Sequence, residues 1–220
     1  MHRRTSTARI GGPALAAALV CITSLLWPDW ARSDVPFYEV TVPLGGPTEE
    51  DRTRALAEAL QAVAVKASGH RSAATSRTVV AADPARYVQR YAKTSDQRLK
   101  VGFAGGAVEE LLREAGLPLW PSERPVTVVA ATGADQAEIE RAAAWRGLPI
   151  AWGPGGTGVN ATLSGVPGAS GFVWKFTHVG QTTEARGSVQ DGIDLAADTL
   201  AAYYAPPSTR STSSLSVSVG

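Results

Sequence analysis

The chain has 220 residues. Its 44% apolar and 19% charged content are those of an ordinary globular protein, not of a disordered or fibrous one. The formal charge is +1, but Arg3, Arg4, Arg9 and Arg32 stand against Asp29 in residues 1–33, so the rest of the chain is about −2. No basic stripe is visible, which argues against nucleic-acid binding. The single cysteine, Cys21, also falls in that first segment, leaving the remainder without disulfide, thiol nucleophile or thiolate metal site.

Residues 2–9 are basic and residues 10–27 are nearly all apolar; Ala31-Arg32-Ser33 then supplies the small-x-small pattern that a signal peptidase cuts. Residues 1–33 are therefore expected to be a secretory signal peptide removed before Asp34. The product is expected in the periplasm, with no membrane span after cleavage. Gly11, Gly12 and Pro13 weaken the first turn of a retained transmembrane helix. Val20 is a poor neighbour for a lipidated Cys21, and no hydrophobic residue closely follows the Arg3-Arg4 pair.

Residues 37–44 alternate, with Tyr38, Val40 and Val42 on one side of a half-buried strand. After a turn at Gly45-Gly46-Pro47, Thr48 caps a helix that opens on Glu49-Glu50-Asp51, where acidic groups suit the exposed N–H groups. Ala55, Leu56, Ala59, Leu60, Val63, Ala64 and Ala67 form its apolar stripe, and Ser68-Gly69 ends it. Residues 70–86 read as a polar surface connection with a short helix near Pro84. Strands are expected at 87–93 and 98–103, then a helix at 105–115 with Val108, Leu111, Leu112 and Ala115 inward, stopped by Gly116 and Pro118. The first half is thus β-α-β-β-α.

Arg124-Pro125 opens a second half. Residues 126–130 form a short apolar strand of the central type. A helix at 134–146 is closed by Gly147, a short strand covers 149–152, and residues 153–158 (GPGGTG) are a loop. Strands follow near 159–165, 171–178 and 183–189, the middle one placing Phe172, Trp174 and Phe176 on one face. The last helix, 191–204, carries Ile193, Ala197, Leu200, Ala201 and Tyr204 on one stripe. Residues 206–220 are Pro/Ser/Thr-rich and read as a mobile polar tail. The fold class is α+β with mixed sheets: a first unit at 34–121 and a second at 122–205, each a mixed sheet with packed helices.

No catalytic or metal-binding constellation stands out. There is no G-x-S-x-G, and the only histidines beyond the signal segment are His70 and His178. Glu49-Glu50 and Glu109-Glu110 are adjacent pairs in the first turns of helices, which do not share a face and serve the helix dipole. The 153–158 loop invites a phosphate-cradle reading, but a strand pattern follows it, with no Lys until Lys175. Trp120 and Trp152, with Arg113 and Arg124, are the candidate partner-binding residues, since Trp and Arg are favoured at binding hot spots. The competing reading has Trp120 packing the seam between the units, with Arg113 and Arg124 pairing with helix-end carbonyls or Glu114.

The segment 109–120 (EELLREAGLPLW), followed by Arg124-Pro125-Val126-Thr127-Val128-Val129, resembles the DUF2066 family of secreted proteobacterial proteins. Residues 38–43, the helix from Arg54-Ala55-Leu56 to Ser68-Gly69, residues 87–91 and residues 196–201 are similar to the same pattern, so the resemblance covers most of 35–205. Members are longer, and residues 215–220 look like the first strand of a further part. The chain is thus expected to be either a C-terminally shortened member or one whose end is wrongly placed. The family has no established activity, so the resemblance implies no catalytic residues. The second unit also resembles, at the level of fold, the small mixed α/β domains of envelope accessory proteins.

The function expected is that of a non-catalytic periplasmic accessory or binding module for a cell-envelope partner, without cofactor or metal. Two alternatives stay open. One is a small-ligand carrier using the 153–158 loop and Trp152. The other is an envelope hydrolase, which would need a cleft uniting His178 or His70 with a Ser or carboxylate.

Overall fold

The computed structural model describes residues 37–154 and 160–206. The expected signal peptide, most of the 153–158 loop and nearly all of the polar tail lie outside the described residues. The described elements are α+β, as the alternation of periods requires. A three-stranded sheet has the order β1-β3-β2, from β1 (Glu39–Pro43), β2 (Val88–Lys93) and β3 (Arg98–Phe103). A five-stranded sheet has the order β5-β4-β6-β7-β8, from β4 (Thr127–Ala131), β5 (Ile150–Trp152), β6 (Ala161–Gly168), β7 (Gly171–His178) and β8 (Gln181–Gly187). The first sheet is antiparallel throughout. The second is mixed: β4 runs parallel to β5 and β6, and the β6-β7-β8 meander is antiparallel.

Local chemistry sets the helix ends. In α1 (Glu49–Ser68), the Thr48 hydroxyl accepts from Asp51 N–H and the Asp51 carboxylate accepts from Thr48 N–H, a closed capping box. Gly69 ends the helix at φ +76°, a left-handed position that a side chain disfavours. A second capping box, Ser188 with Asp191, opens α5 (Val189–Tyr204).

Three expectations are corrected. Residues 70–86 are not a mere connection: two short 3₁₀ turns flank α2 (Arg77–Ala81), and Ala73 and Val79 plug the first core. The turn near Pro84 is there, at Pro84–Arg86. Nor is α1 one-sided: every residue from Ala62 to Ser68 is buried, because its last turns are surrounded by β1, α3 (Gly105–Glu114) and α4 (Gln136–Arg146). Tyr204, placed on the inner stripe of α5 by its spacing, is 40% exposed and turns instead toward Tyr203 and His178.

The second core is organised by Trp174. Its indole is fully buried, and Nε1 donates to Ser188 O at 2.8 Å. Gly165 lies directly opposite on β6, and Gly192 lies above it on α5; a Cβ on either would collide with the indole. The adjoining β7-β8 hairpin closes through Val179 and Gly180, with φ of +47° and +75°. Two positive φ values fit a type I′ turn, for which a β-branched residue is poorly suited. Gly192→Ala should therefore lower stability by ~1–3 kcal/mol through overpacking. Val179→Asn should raise it by about 1 kcal/mol. Denaturant midpoints of the two variants would move in opposite directions.

Candidate functional site

Trp120 and Arg124 come together, but inside the protein. Trp120 N–H donates to Ala67 O at 2.8 Å, and its ring covers the glycine end of α1; a Cβ on Gly69 would lie 2.6 Å from both the indole and Ala201. Arg124 stacks on Trp120 at 3.9 Å and on Phe37 at 4.4 Å. All three of its nitrogens donate to carbonyls: Pro121 O at 3.1 Å, Gly147 O at 2.6 Å and Lys66 O at 2.7 Å. Two of those carbonyls belong to the C-terminal ends of α1 and α4, where a cation meets the negative end of the helix dipole. Arg146, in the last turn of α4, makes the reciprocal reach: it donates to Gly69 O at 3.0 Å and pairs with Asp194 and Asp198 on α5, which Arg71 also engages. At 5% and 7% exposure, Trp120 and Arg124 have little surface to offer a partner.

The other two candidates stand apart. Arg113 is exposed on α3 and pairs with Glu110 and Glu109 of its own helix, neither with a helix-end carbonyl nor with Glu114. These two glutamates sit in the second turn of α3, not the first, and Glu109 accepts from Tyr38 OH at 2.6 Å. Trp152, at the end of β5, is 38% exposed and donates from Nε1 to Glu140 at 3.2 Å.

Glu140 leads to a cleft that the sequence reading did not find. A cavity of about 640 Å³ lies where β1, an edge of the first sheet, faces α4 and β5, an edge of the second. Val40, Ala143, Leu148 and Ile150 make its apolar wall, and Trp145, 37% exposed, stands at its rim. Its charged lining is Lys66, Arg98, Lys100 and Arg141 against Glu39, Asp96 and Glu140.

Lys66 is the unusual member. It is 3% exposed, and Nζ donates to Glu39 O at 2.8 Å. Burial, and then the charge of Arg124, push its pKa down to about 8, with Glu39 pulling the other way. The Glu39 carboxylate is turned elsewhere, to Lys100 at 2.7 Å and Arg90 at 3.2 Å, and the Lys100 contact above all holds its pKa low. Lys66 had a visible signal in the sequence: it is the lone charge in the apolar run 62–67 (AVAVKA). Trp145 had none, because its exposure depends on how α4 turns against its neighbours.

Both histidines are structural in placement. His70 Nε2 lies 2.8 Å from Ala205 O, and His178 Nδ1 lies 2.7 Å from Asn160 O among Phe176, Tyr203 and Tyr204. Neither ring meets a serine hydroxyl or a carboxylate among the described residues, so the union that a hydrolase reading needs is not assembled there. Among the described residues no group of three His, Cys, Asp or Glu is arranged for a metal, and no helix is long and apolar enough to cross a membrane.

Residues 31–121 match a family described as a domain of unknown function (DUF8605). This corrects the expected membership of DUF2066: the first half, whose Ala-Gly-Leu-Pro-Leu-Trp segment suggested that family, matches a different one. Apolar helix stripes and a helix-ending Gly-Leu-Pro are constraints of packing that unrelated domains share. No curated protein and no solved structure matches the chain.

The buried Lys66 gives a pH signature. Its folded pKa of about 8 lies below the ordinary 10.5, so between these values the unfolded chain binds more protons and stability rises with pH. Tyr38, raised to about 12 chiefly by burial, opposes this only above its ordinary value of 10.0. Urea unfolding at pH 7.5 and pH 10 should therefore show wild type gaining on the order of 2 kcal/mol relative to Lys66→Met.

Proposed function

We propose that this chain is a non-catalytic binding module of the bacterial cell envelope, exported to the periplasm by a cleaved signal peptide, with the cleft between its two sheet edges as the recognition surface. The observation that carries the reading is the pair of half-exposed indoles, Trp145 and Trp152. They are linked through Glu140, which lines the cleft with the first and accepts a hydrogen bond from the second. A solvent-facing indole keeps a large apolar area in water until something covers it, and indoles of this kind dominate binding energy when covered. Exposed Arg141 lies on the same helix and forms no ion pair among the described residues. This surface takes the place of Trp120 and Arg124, whose contacts are all spent within the chain.

A small-ligand carrier is the second reading. The cavity volume of about 640 Å³ favours it, being in the range of small-molecule sites. The ligand then belongs in the cleft; most of the 153–158 loop lies outside the described residues.

Cross-linking in intact envelopes should capture a discrete partner with wild type and lose it with Trp145→Ser/Trp152→Ser, while circular dichroism of the variant is unchanged. Export predicts Asp34 as the N-terminal residue of the periplasmic form. Equal capture by both proteins, or capture by neither, would remove the tryptophan rim from the account.

A further inference from the structure

The three-stranded sheet has a second edge, β2, on the side opposite β1 and the cleft. Among the described residues β2 pairs only with β3. Ala104 N–H donates to Tyr87 O at 2.8 Å and Thr94 N–H donates to Arg98 O at 2.9 Å, so Tyr87 and Thr94 turn their backbone toward β3. The register gains one residue at Gln89, and from Arg90 on the even-numbered positions bond inward. The backbone N–H and C=O groups of Val88, Tyr91 and Lys93 therefore point away from the sheet.

Beside this edge runs a groove. Two cavities, of about 500 and 270 Å³, adjoin at Glu49, Arg52 and Tyr91, which line both. Together they follow β2 from Val88 to Lys93, with the first turns of α1 as the other wall. Val88, Tyr91 and Lys93 stand opposite the buried Phe103, Val101 and Leu99, and facing residues share a side of the sheet, so these three side chains turn toward α1. The Tyr91 ring is 50% exposed, with the Arg52 guanidinium over it at 5.8 Å. Leu56 and Val88 carry the apolar surface of the first core out to it. Arg90 turns to the other side, where it meets Glu39.

Charge on this edge is one-sided. Glu49 pairs with Arg52, and Asp83 accepts from Ala85 N–H. Residues 86–93 (RYVQRYAK) contain three cations and no carboxylate, and neither Arg86 nor Lys93 forms an ion pair among the described residues. A row of outward backbone groups is matched by another extended chain. A second copy of β2 is a poor one, because pairing would bring the cations of both copies into a single ladder. Residues 207–220 hold no Asp or Glu and bring no side-chain counter-charge. A strand that carries carboxylates suits both the backbone and the charge.

We propose that β2 takes up an extended acidic segment of a partner protein as a fourth strand of the first sheet. Its backbone pairs with Val88, Tyr91 and Lys93. Alternate side chains enter the groove over Leu56 and the Tyr91 ring, and its carboxylates meet Lys93 on the groove side or Arg90 on the other. The lysine and the bulge that keep other edges from pairing here become the means of choosing an acidic one. This surface is separate from the tryptophan rim and does not depend on it.

Peptide binding tests it. Fluorescence anisotropy of the full chain, as the cell processes it, would follow a labelled eight-residue peptide of alternating valine and glutamate, capped at both ends. One control has lysine for every glutamate; the other is the glutamate peptide with every backbone nitrogen methylated, which removes its strand-pairing donors. The glutamate peptide should bind saturably, one to one, at least ten-fold tighter than the lysine peptide, and the methylated peptide should not bind. Lys93→Glu, an exposed change, should weaken the glutamate peptide several-fold and tighten the lysine peptide. Hydrogen exchange at Tyr91 and Lys93 should slow on binding, and Trp145→Ser/Trp152→Ser should bind as wild type does.

No saturable binding, equal affinity for the methylated peptide, or an unchanged affinity in Lys93→Glu would overturn the proposal. So would binding that appears only after residues 207–220 are removed, which would give the edge to the chain's own tail, or a dimer that the peptide dissociates, which would give it to a second copy. The cross-linked partner lost with the two tryptophans tests the cleft alone, so either surface can fail without the other.

Discussion

Arg124 carries its guanidinium into a place where no carboxylate among the described residues meets it. Such a charge is costly to bury unless it is hydrogen-bonded, and here each guanidinium nitrogen donates to a backbone carbonyl, two of them at helix ends that need donors. Lys66 O and Gly147 O sit at the C-terminal ends of α1 and α4, so one side chain ties together the ends of two helices from different halves of the chain. Arg146 does the same in the other direction, from the end of α4 to Gly69 O and on to α5. Burial, with Arg146 adding repulsion, pulls the pKa of Arg124 down. A guanidinium starts so far above neutrality that it stays charged all the same.

The cleft follows from that junction. With the ends of α1 and α4 drawn together, the edge strand β1 is brought opposite α4 and the edge strand β5, and the space between them is the cavity. An open strand edge invites pairing with other chains, and this one is blunted: Lys66 and Arg98 occupy its outward carbonyls, and Pro43 supplies no N–H. The same lysine therefore protects the edge and lines the cavity. Burial over the last turns of α1, and then the charge of Arg124, push its pKa down.

A fold of this class does not define a function, and the match of residues 31–121 to a domain of unknown function adds none. What argues for binding is local. Among the described residues, half-exposed Trp145 lines the cleft and half-exposed Trp152 bonds to its Glu140, whereas Trp120 and Trp174 are spent on cores. The histidines are held by backbone carbonyls away from any cavity wall named here.

By itself, the sequence determined the local elements. Period-two alternation in residues 38–42, the Thr48 cap and the glycines after α1 and α4 are short-range signals, and the structure uses each where it was read; the Ser188 box fell in a stretch expected to be strand, and it starts α5 at Val189 instead of 191. Tertiary structure alone decided which residues share a surface. Trp120 and Arg124 could be read in sequence as a binding pair or as a packed seam with Arg124 on helix-end carbonyls, and only the fold, which brings Ala67, Lys66 and Gly147 to them, decides for the second. Residues 70–86 carry too little apolar periodicity to reveal that Ala73 and Val79 close a core. Lys66 left a local signal that was not read, a lone charge in an apolar run, and its place depends on the Glu39 carbonyl, the Arg124 guanidinium and the α4 wall. Contacts of that separation are set by packing the whole chain at once, and no window of sequence contains them.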